Sequence, residues 1–184
     1  CGELEYAVRE SALLAELAPN DGDVHFNLAL ALLASGRMAE GWGEHEWRFR
    51  KARPVEQRHG GIPRWQGEAL MGKRLLIHAE QGYGDSLQFI RYAGLLADRG
   101  ATVLVEAQDR IIAPLLATVP GVAMVFARGD AVPPADYQIP MMSLPLPFGD
   151  SGWPPPRPPY LSACVDKVVS WRKQLLELKG LKVG

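Results

Sequence analysis

The sequence predicts an α/β fold in which a doubly wound, parallel sheet follows a segment of α-helices. Up to residue 50 the apolar residues recur at helical spacing, and from Lys73 onward strand-length apolar runs alternate with helical patterns. The 184 residues are 47% hydrophobic and 22% charged, which is typical of a globular protein. The net charge of −1 gives no basic excess for nucleic acid, and no apolar run is long enough to span a membrane.

Three helices are predicted in residues 1–50. The first starts near Gly2 and is ended by the turn at residues 19–21, which contains a proline. The second covers about residues 24–34, and the third covers about residues 38–49. Short connections between such helices favour a compact arrangement in which each packs against the next.

The helical segment repeats itself at an offset of 34 residues, which is the period of tetratricopeptide repeats. The aligned pairs are Gly2 with Gly36, Leu4 with Met38, Glu5 with Ala39, and Ala7 with Gly41. The segment resembles the core of such repeats, with an incomplete first repeat and further repeats expected upstream. The resemblance implies a protein partner or acceptor bound through the helices, or self-association. An unrelated helical hairpin is the alternative.

Residues 51–73 are predicted to be a linker. Lys51, Arg53 and Arg58 are basic, and prolines and glycines interrupt any regular pattern. These basic residues either bind an anion or form a solvated face of the linker, and the solvated face is the more common case.

The α/β part is predicted over residues 74–150. Its strands are expected at residues 74–79, 102–106, 122–126 and 137–139, with helices at residues 86–98 and 110–119. Ligands bind beyond the carboxyl ends of the strands in such sheets. We therefore expect three stretches to meet in one cleft, namely residues 80–86, 106–108 and 141–144.

A Gly-x-Gly turn separates the first predicted strand from its helix. The backbone N–H groups of such a turn and of the following helix N-terminus attract an anion. The turn is not a dinucleotide fingerprint, because Leu87 stands where the third glycine belongs, and no Gly-Lys-Ser/Thr follows to make a P-loop. Asp85, just after the turn, either caps the helix or belongs to a site.

Residues 72–92 resemble a signature of bacterial proteins that fuse tetratricopeptide repeats to a glycosyltransferase-like domain. That domain is similar to the heptosyltransferases, glycosyltransferase family nine. The resemblance implies a GT-B fold, in which two Rossmann-like domains face each other across a cleft. This chain would supply the N-terminal, acceptor-side domain, and the nucleotide-sugar donor would bind to the C-terminal domain. No metal and no other cofactor is expected.

The resemblance also implies roles for individual residues. Gly84-Asp85 matches a Gly-Asp pair whose aspartate is the proposed general base on the acceptor hydroxyl, so Asp85 is the candidate base. Glu106 and His78 are weaker candidates. Their alternatives are a solvated strand end for Glu106 and a satisfied core histidine for His78. The residues expected to contact substrate are Glu80, Gln81, Gly82, Tyr83, Gly84, Ser86 and Ser143.

Residues 151–184 are predicted to leave this domain. A proline-rich run at residues 153–159 reads as a stiff crossover, a helix is expected at residues 165–179, and residues 182–184 look like the start of the next domain. The chain alone is therefore expected to transfer no sugar. Its two widely spaced cysteines indicate either a reducing compartment or no dependence on the redox environment, and a cytoplasmic location is expected.

Two functions of different classes follow. The first is a glycosyltransferase that moves a sugar from a nucleotide-sugar to a glycan or protein acceptor, with the repeats recruiting a partner. The second is a non-catalytic scaffold for protein interactions that keeps a degenerate GT-B domain. A nucleotide-binding regulatory domain is a weaker third interpretation, because the third glycine of the fingerprint is missing.

Overall fold

The computed structural model describes residues 2–151, 159–178 and 180. Within these residues no helix is both long and apolar enough to cross a membrane. The helical part contains α1 (Gly2–Leu17), α2 (Gly22–Ala34), α3 (Met38–His45) and a 3-10 turn (Glu46–Phe49). The α/β part contains β1 (Arg74–His78), α4 (Tyr83–Phe89), α5 (Tyr92–Asp98), β2 (Thr102–Ala107), α6 (Ala113–Leu116), β3 (Val122–Ala127), β4 (Tyr137–Pro140), 3-10 turns at Met141–Ser143 and Leu146–Ser151, and α7 (Val165–Glu177).

The three predicted helices of the N-terminal segment are present, and each packs against the next. The Asp21 carboxylate caps α2 by accepting hydrogen bonds from two first-turn amides at 2.9 and 3.2 Å. Gly41 allows α3 to approach α2 closely, since a Cβ atom there would lie 2.7 Å from Leu33 Cγ. The third helix ends at His45 and continues as the 3-10 turn rather than as regular helix. The tetratricopeptide assignment stays a prediction.

Four parallel strands form one sheet in the order β3-β2-β1-β4. The register pairs His78 with both Glu106 and Pro140, so these strands end at a common edge. All four predicted strands are present, and their ends differ from the prediction by one residue. The strand order reverses at β1, because β2 lies on one side of it and β4 on the other. The predicted parallel α/β sheet is therefore confirmed.

The helices between the strands differ from the prediction. The single helix expected at residues 86–98 is divided into α4 and α5, and α4 begins three residues earlier, at Tyr83. The helix expected at residues 110–119 was wrong, since only the four residues of α6 are helical. Pro114 lies in the first turn of α6. A proline is tolerated there, whereas further inside a helix its ring and missing N–H break the hydrogen bonding.

The two faces of the sheet are covered by different parts of the chain. On the helix-covered face, Leu75 and Ile77 pack with residues of α4, α5 and α6 in the main apolar core. The linker-covered face has a smaller cluster, in which the linker and the β3–β4 loop contribute the partly buried residues; its members are Leu76, Leu104, Phe126, Ile62 and Ala135. The β3–β4 loop contains no helix. The helices that a doubly wound sheet carries on its second face are therefore missing from the described part of the chain.

The helix predicted at residues 165–179 is present as α7, which ends at Glu177. A groove of about 860 Å³ lies between α7 and the region of α4 and α6. The predicted crossover at residues 153–159, apart from Pro159, and the predicted domain start at residues 182–184 lie outside the described residues.

Candidate functional site

The three stretches predicted to share a cleft meet at the carboxyl edge of the sheet. After β2, the Gln108 side-chain amide donates to the carbonyl oxygens of Gln81 at 3.1 Å and Gly82 at 2.8 Å, which follow β1. After β4, the backbone N–H of Met142 donates to Glu80 Oε1 at 2.9 Å. The convergence expected from the topology is therefore confirmed.

Asp85 lies in the first turn of α4, and its side chain is half-buried. Its Oδ2 accepts a hydrogen bond from the backbone N–H of Gly82 at 3.1 Å, so the carboxylate caps the helix. Its Oδ1 has no hydrogen-bond partner among the residues that the structure describes. The helix-cap interpretation is confirmed, and the role of Asp85 as a general base stays a prediction.

The turn before α4 and the first two residues of the helix are open to solvent. Residues 81–84, all predicted to contact substrate, are exposed. Ser86 is buried, and its hydroxyl accepts a hydrogen bond from the Gln108 amide at 2.8 Å. The Tyr83 hydroxyl donates to Asp109, which lowers the pKa of Asp109 and raises the pKa of Tyr83. Residues 81–84 can thus contact a ligand, while Ser86 holds the turn in position.

Glu80 and Ser143, two further predicted substrate contacts, lie inside a buried network of charged groups. The fully buried Arg48 side chain donates from Nε to Glu80 Oε2 at 2.7 Å and from Nη2 to Glu80 Oε1 at 3.0 Å. The same Nη2 donates to Ser143 Oγ at 2.6 Å. The 3-10 turn of the helical segment therefore fills the crevice between β1 and β4, where doubly wound folds bind their ligand. Neither Glu80 nor Ser143 faces an open cleft, because Arg48 occupies that space.

Glu46 extends this network to the linker. It accepts hydrogen bonds from Arg48 Nη1 and Ser143 Oγ, both at 2.7 Å, and it pairs with Arg64. Burial alone would raise the pKa of Glu46, but Arg48, Arg64 and Ser143 outweigh this effect and lower the pKa. His45 is buried nearby, and burial together with the Arg48 charge lowers its pKa to about 4. The network fastens the helical segment to the sheet edge.

Glu106 is buried on the linker-covered face, where it has two partners from the linker. The Arg58 guanidinium pairs with Glu106 Oε2, and His59 Nε2 lies 2.9 Å from the same oxygen. Arg58 also donates to the backbone carbonyl of Ala79 at 2.6 Å. The solvated strand end considered for Glu106 is therefore wrong. The prediction that Arg58 lies on a solvated face of the linker is also wrong, because its guanidinium pairs with the buried Glu106 carboxylate on the sheet.

His78 is a hydrogen-bonded histidine of the core, which is the alternative to a catalytic base that the sequence analysis gave for it. It is buried, its Nε2 lies 2.9 Å from Gln138 Oε1, and burial lowers its pKa to about 3. The ligand atoms of His59, His78 and Glu106 lie within 4.8 Å of one another and could hold a metal ion. The Arg58 guanidinium contacts both Glu106 and His78, however, so a positively charged group already lies beside these potential metal ligands.

Two arginines at this edge were missed in the sequence. Arg128, directly after β3, donates to Ala79 O at 3.1 Å and is exposed. It sits after a strand, and the topology could have placed it at this edge. Arg48 stands between Trp47 and Phe49, and a charge within such an aromatic run is the signal that could have identified a buried ion pair.

The chain is similar to one region of a much longer protein. It is 42% identical over 102 residues to Protein FlbA of Caulobacter vibrioides. This match covers 53% of the chain and 16% of FlbA. No protein-family model matches the chain, and no solved structure matches it significantly.

Proposed function

We propose that this chain is the acceptor-side part of a glycosyltransferase that moves a sugar from a nucleotide-sugar to a glycan or protein acceptor. Two features support the proposal. Residues 72–92 resemble the signature of glycosyltransferase-like domains, and the exposed turn within this stretch lies at the carboxyl edge of a parallel sheet. We further propose that the reaction takes place in the bacterial cytoplasm.

The availability of the Asp85 carboxylate is the observation that carries the proposal. The other carboxylates described at this edge already have partners; Asp130, for example, accepts hydrogen bonds from Arg110 and from the Ala127 amide. Glu80 is paired with Arg48, Glu106 is paired with Arg58, and both are buried. Asp109 accepts hydrogen bonds at both oxygens, from Tyr83 and from the amide of Ile111. Asp85 keeps one oxygen unbonded among the described residues, so it can accept a proton.

The reaction proposed for this carboxylate is an inverting transfer. The acceptor hydroxyl gives its proton to Asp85 Oδ1 while its oxygen attacks the anomeric carbon of the donor. The bond from that carbon to the nucleoside diphosphate breaks, and the diphosphate leaves with the bonding electrons.

The donor and the partner have separate places in this proposal. The nucleotide-sugar binds to a second α/β domain that closes over residues 81–85, and no metal ion takes part. The helical segment recruits the acceptor or another protein. Its rigid attachment to the sheet edge through Arg48 would hold that partner in a fixed position relative to Asp85.

Asp85→Asn in the full-length protein tests this proposal. Asparagine keeps the shape and can still accept the hydrogen bond from the Gly82 amide, but it cannot take a proton. We expect the transfer rate to fall about 10²–10⁴-fold while the unfolding temperature changes little. The matched control is Asp136→Asn, at the opposite edge of the sheet, where the carboxylate accepts from Arg74 N at 2.8 Å. Full activity in the folded Asp85→Asn protein would remove Asp85 as the base.

A protein-interaction scaffold is the second candidate function. It is favoured by exposed apolar side chains that share one face of α1, as a contact surface requires; they are Tyr6, Leu13, Leu14 and Leu17. The same assay separates the two functions. A full-length protein that binds no nucleotide-sugar and transfers nothing, with either residue at position 85, is a scaffold.

A further inference from the structure

A polar pocket lies where the helical segment meets the linker, away from Asp85. It has a volume of about 380 Å³, and its lining residues are Glu46, Trp47, Phe49, Arg50, Gln57 and Arg64. We propose that this pocket binds a small ligand through an oxyanion group, a phosphate or a carboxylate, held between the guanidinium groups of Arg50 and Arg64.

Arg50 is the cation that such a ligand would meet first. Its side chain is exposed and forms no ion pair among the described residues, and its guanidinium lies 4.9 Å from the centre of the Trp47 ring. Its backbone is fixed, because its N–H donates to Trp47 O at 2.8 Å and its carbonyl packs against Gly22 so closely that a Cβ atom there would lie 2.3 Å away. The guanidinium is therefore presented from a rigid turn.

Arg64 forms the other side of the pocket. Its guanidinium pairs with Glu46 and lies 5.6 Å from the centre of the Phe49 ring, with the side chain 29% exposed. Glu46 is shared with the buried Arg48, so one carboxylate serves two guanidinium groups. Arg64 therefore has spare N–H donors for an added anion.

The charges around the pocket are unbalanced. The guanidinium groups of Arg48 and Arg64 pair with the carboxylates of Glu46 and Glu80, whereas the Arg50 guanidinium lies against the Trp47 ring with no ion pair among the described residues. One positive charge is left over, and the aromatic rings of Trp47 and Phe49 keep part of the surrounding water away. An oxyanion fits this arrangement because guanidinium groups bind phosphate and carboxylate with paired hydrogen bonds.

Isothermal titration of the whole chain in low-salt buffer tests the site, with inorganic phosphate in one arm and acetate in the other. We expect saturable 1:1 binding of at least one anion, weakened by added sodium chloride. Arg50→Gln should weaken binding about tenfold or more, since a charge-assisted hydrogen bond is lost. Arg50→Lys should weaken it less, because the charge remains without the planar fork. The arm with the higher affinity identifies the oxyanion group.

Arg53→Gln is the matched control, because Arg53 is an exposed arginine of the same linker region that does not line the pocket. It should leave binding unchanged. Binding of neither anion by the unaltered chain, or an equal loss with Arg50→Gln and Arg53→Gln, would overturn the proposal. None of the lining residues is Asp85 or its turn, so either result is independent of sugar transfer.

Discussion

The two faces of the sheet are held by different physical means. Leu75 and Leu76 are neighbours in β1 and both are fully buried, yet they point to opposite faces. Leu75 packs in the main apolar core with the helices, whereas Leu76 packs in a cluster completed by the linker and a loop. On the linker-covered face, the strands also carry the buried polar residues His78, Glu106 and Gln138.

The difference shows what an extended segment can do in place of a helix. A helix presents a wide apolar stripe, and its own backbone groups are hydrogen-bonded internally. The linker offers Ile62 as its partly buried apolar contact in this cluster, and it fixes itself through Arg58 and His59 on Glu106. One face is therefore stabilised mainly by apolar burial under helices, and the other combines a smaller apolar cluster with charged and backbone contacts of the linker.

The largest loss of stability is expected from a substitution in the main apolar core. Leu75→Ala should lower the free energy of unfolding by about 4 kcal/mol, because the helices around the cavity cannot close it. Leu76→Ala, its matched control in the same strand, should cost about 2 kcal/mol, since the linker and loop can move toward the gap. Urea unfolding of both variants measures the difference. Equal losses would mean that the two faces are equally rigid.

The second-largest effect is expected from a substitution that removes a charged contact of the linker. Arg58→Met should lower the free energy of unfolding by about 3 kcal/mol, because among the described residues the buried Glu106 carboxylate would keep only His59 as a partner. Arg128→Met is the control, an exposed arginine at the same edge that bonds to backbone carbonyls, and it should cost less than about 1 kcal/mol. A small loss with Arg58→Met would show that the linker is held by other contacts.

The smallest effect concerns pH. Burial lowers the pKa of His78 from 6.5 to about 3, so below pH 6.5 the unfolded chain binds a proton that the folded chain excludes. Stability therefore falls as the pH drops from about 6.5 toward 3, and His78 contributes a loss of about 2 kcal/mol by pH 5. His78→Gln removes this group while keeping a polar side chain beside Gln138.

The measurement for this prediction is urea unfolding of both proteins at pH 7 and pH 5. His45, which also has a lowered pKa, should keep part of the pH dependence in the variant. The prediction fails if His78→Gln shows the same pH dependence as the unaltered chain.

The fold was largely predictable because its signals are local. Apolar runs such as residues 74–78 read as buried strands, and turns with glycine or proline marked their ends. The shortening of the helix predicted at residues 110–119 to the four residues of α6 was not predictable from periodicity, since Pro114 fits both a helix start and a helix break. The division of the helix at residues 90–91 likewise left no clear break in the apolar pattern.

The candidate site was predictable only in part. Strand order and the Gly-x-Gly turn were enough to place Asp85, Glu106 and Ser143 at one edge, because parallel strands end together. Which of the carboxylates of Glu80, Asp85 and Glu106 stays available depends on cationic partners far away in the sequence. Arg48 lies 32 residues from Glu80, and Arg58 lies 48 residues from Glu106.

The sequence by itself determined the parallel α/β sheet, the helical segment before it and the exposed turn that carries Asp85. These features depend on periodicity and on turn residues, which act over a few positions along the chain. Only the tertiary structure decided that Arg48 fills the crevice and pairs with Glu80, and that Arg58 pairs with Glu106. A charged side chain is buried only when a partner of opposite charge is placed beside it, and that placement is a property of the folded chain.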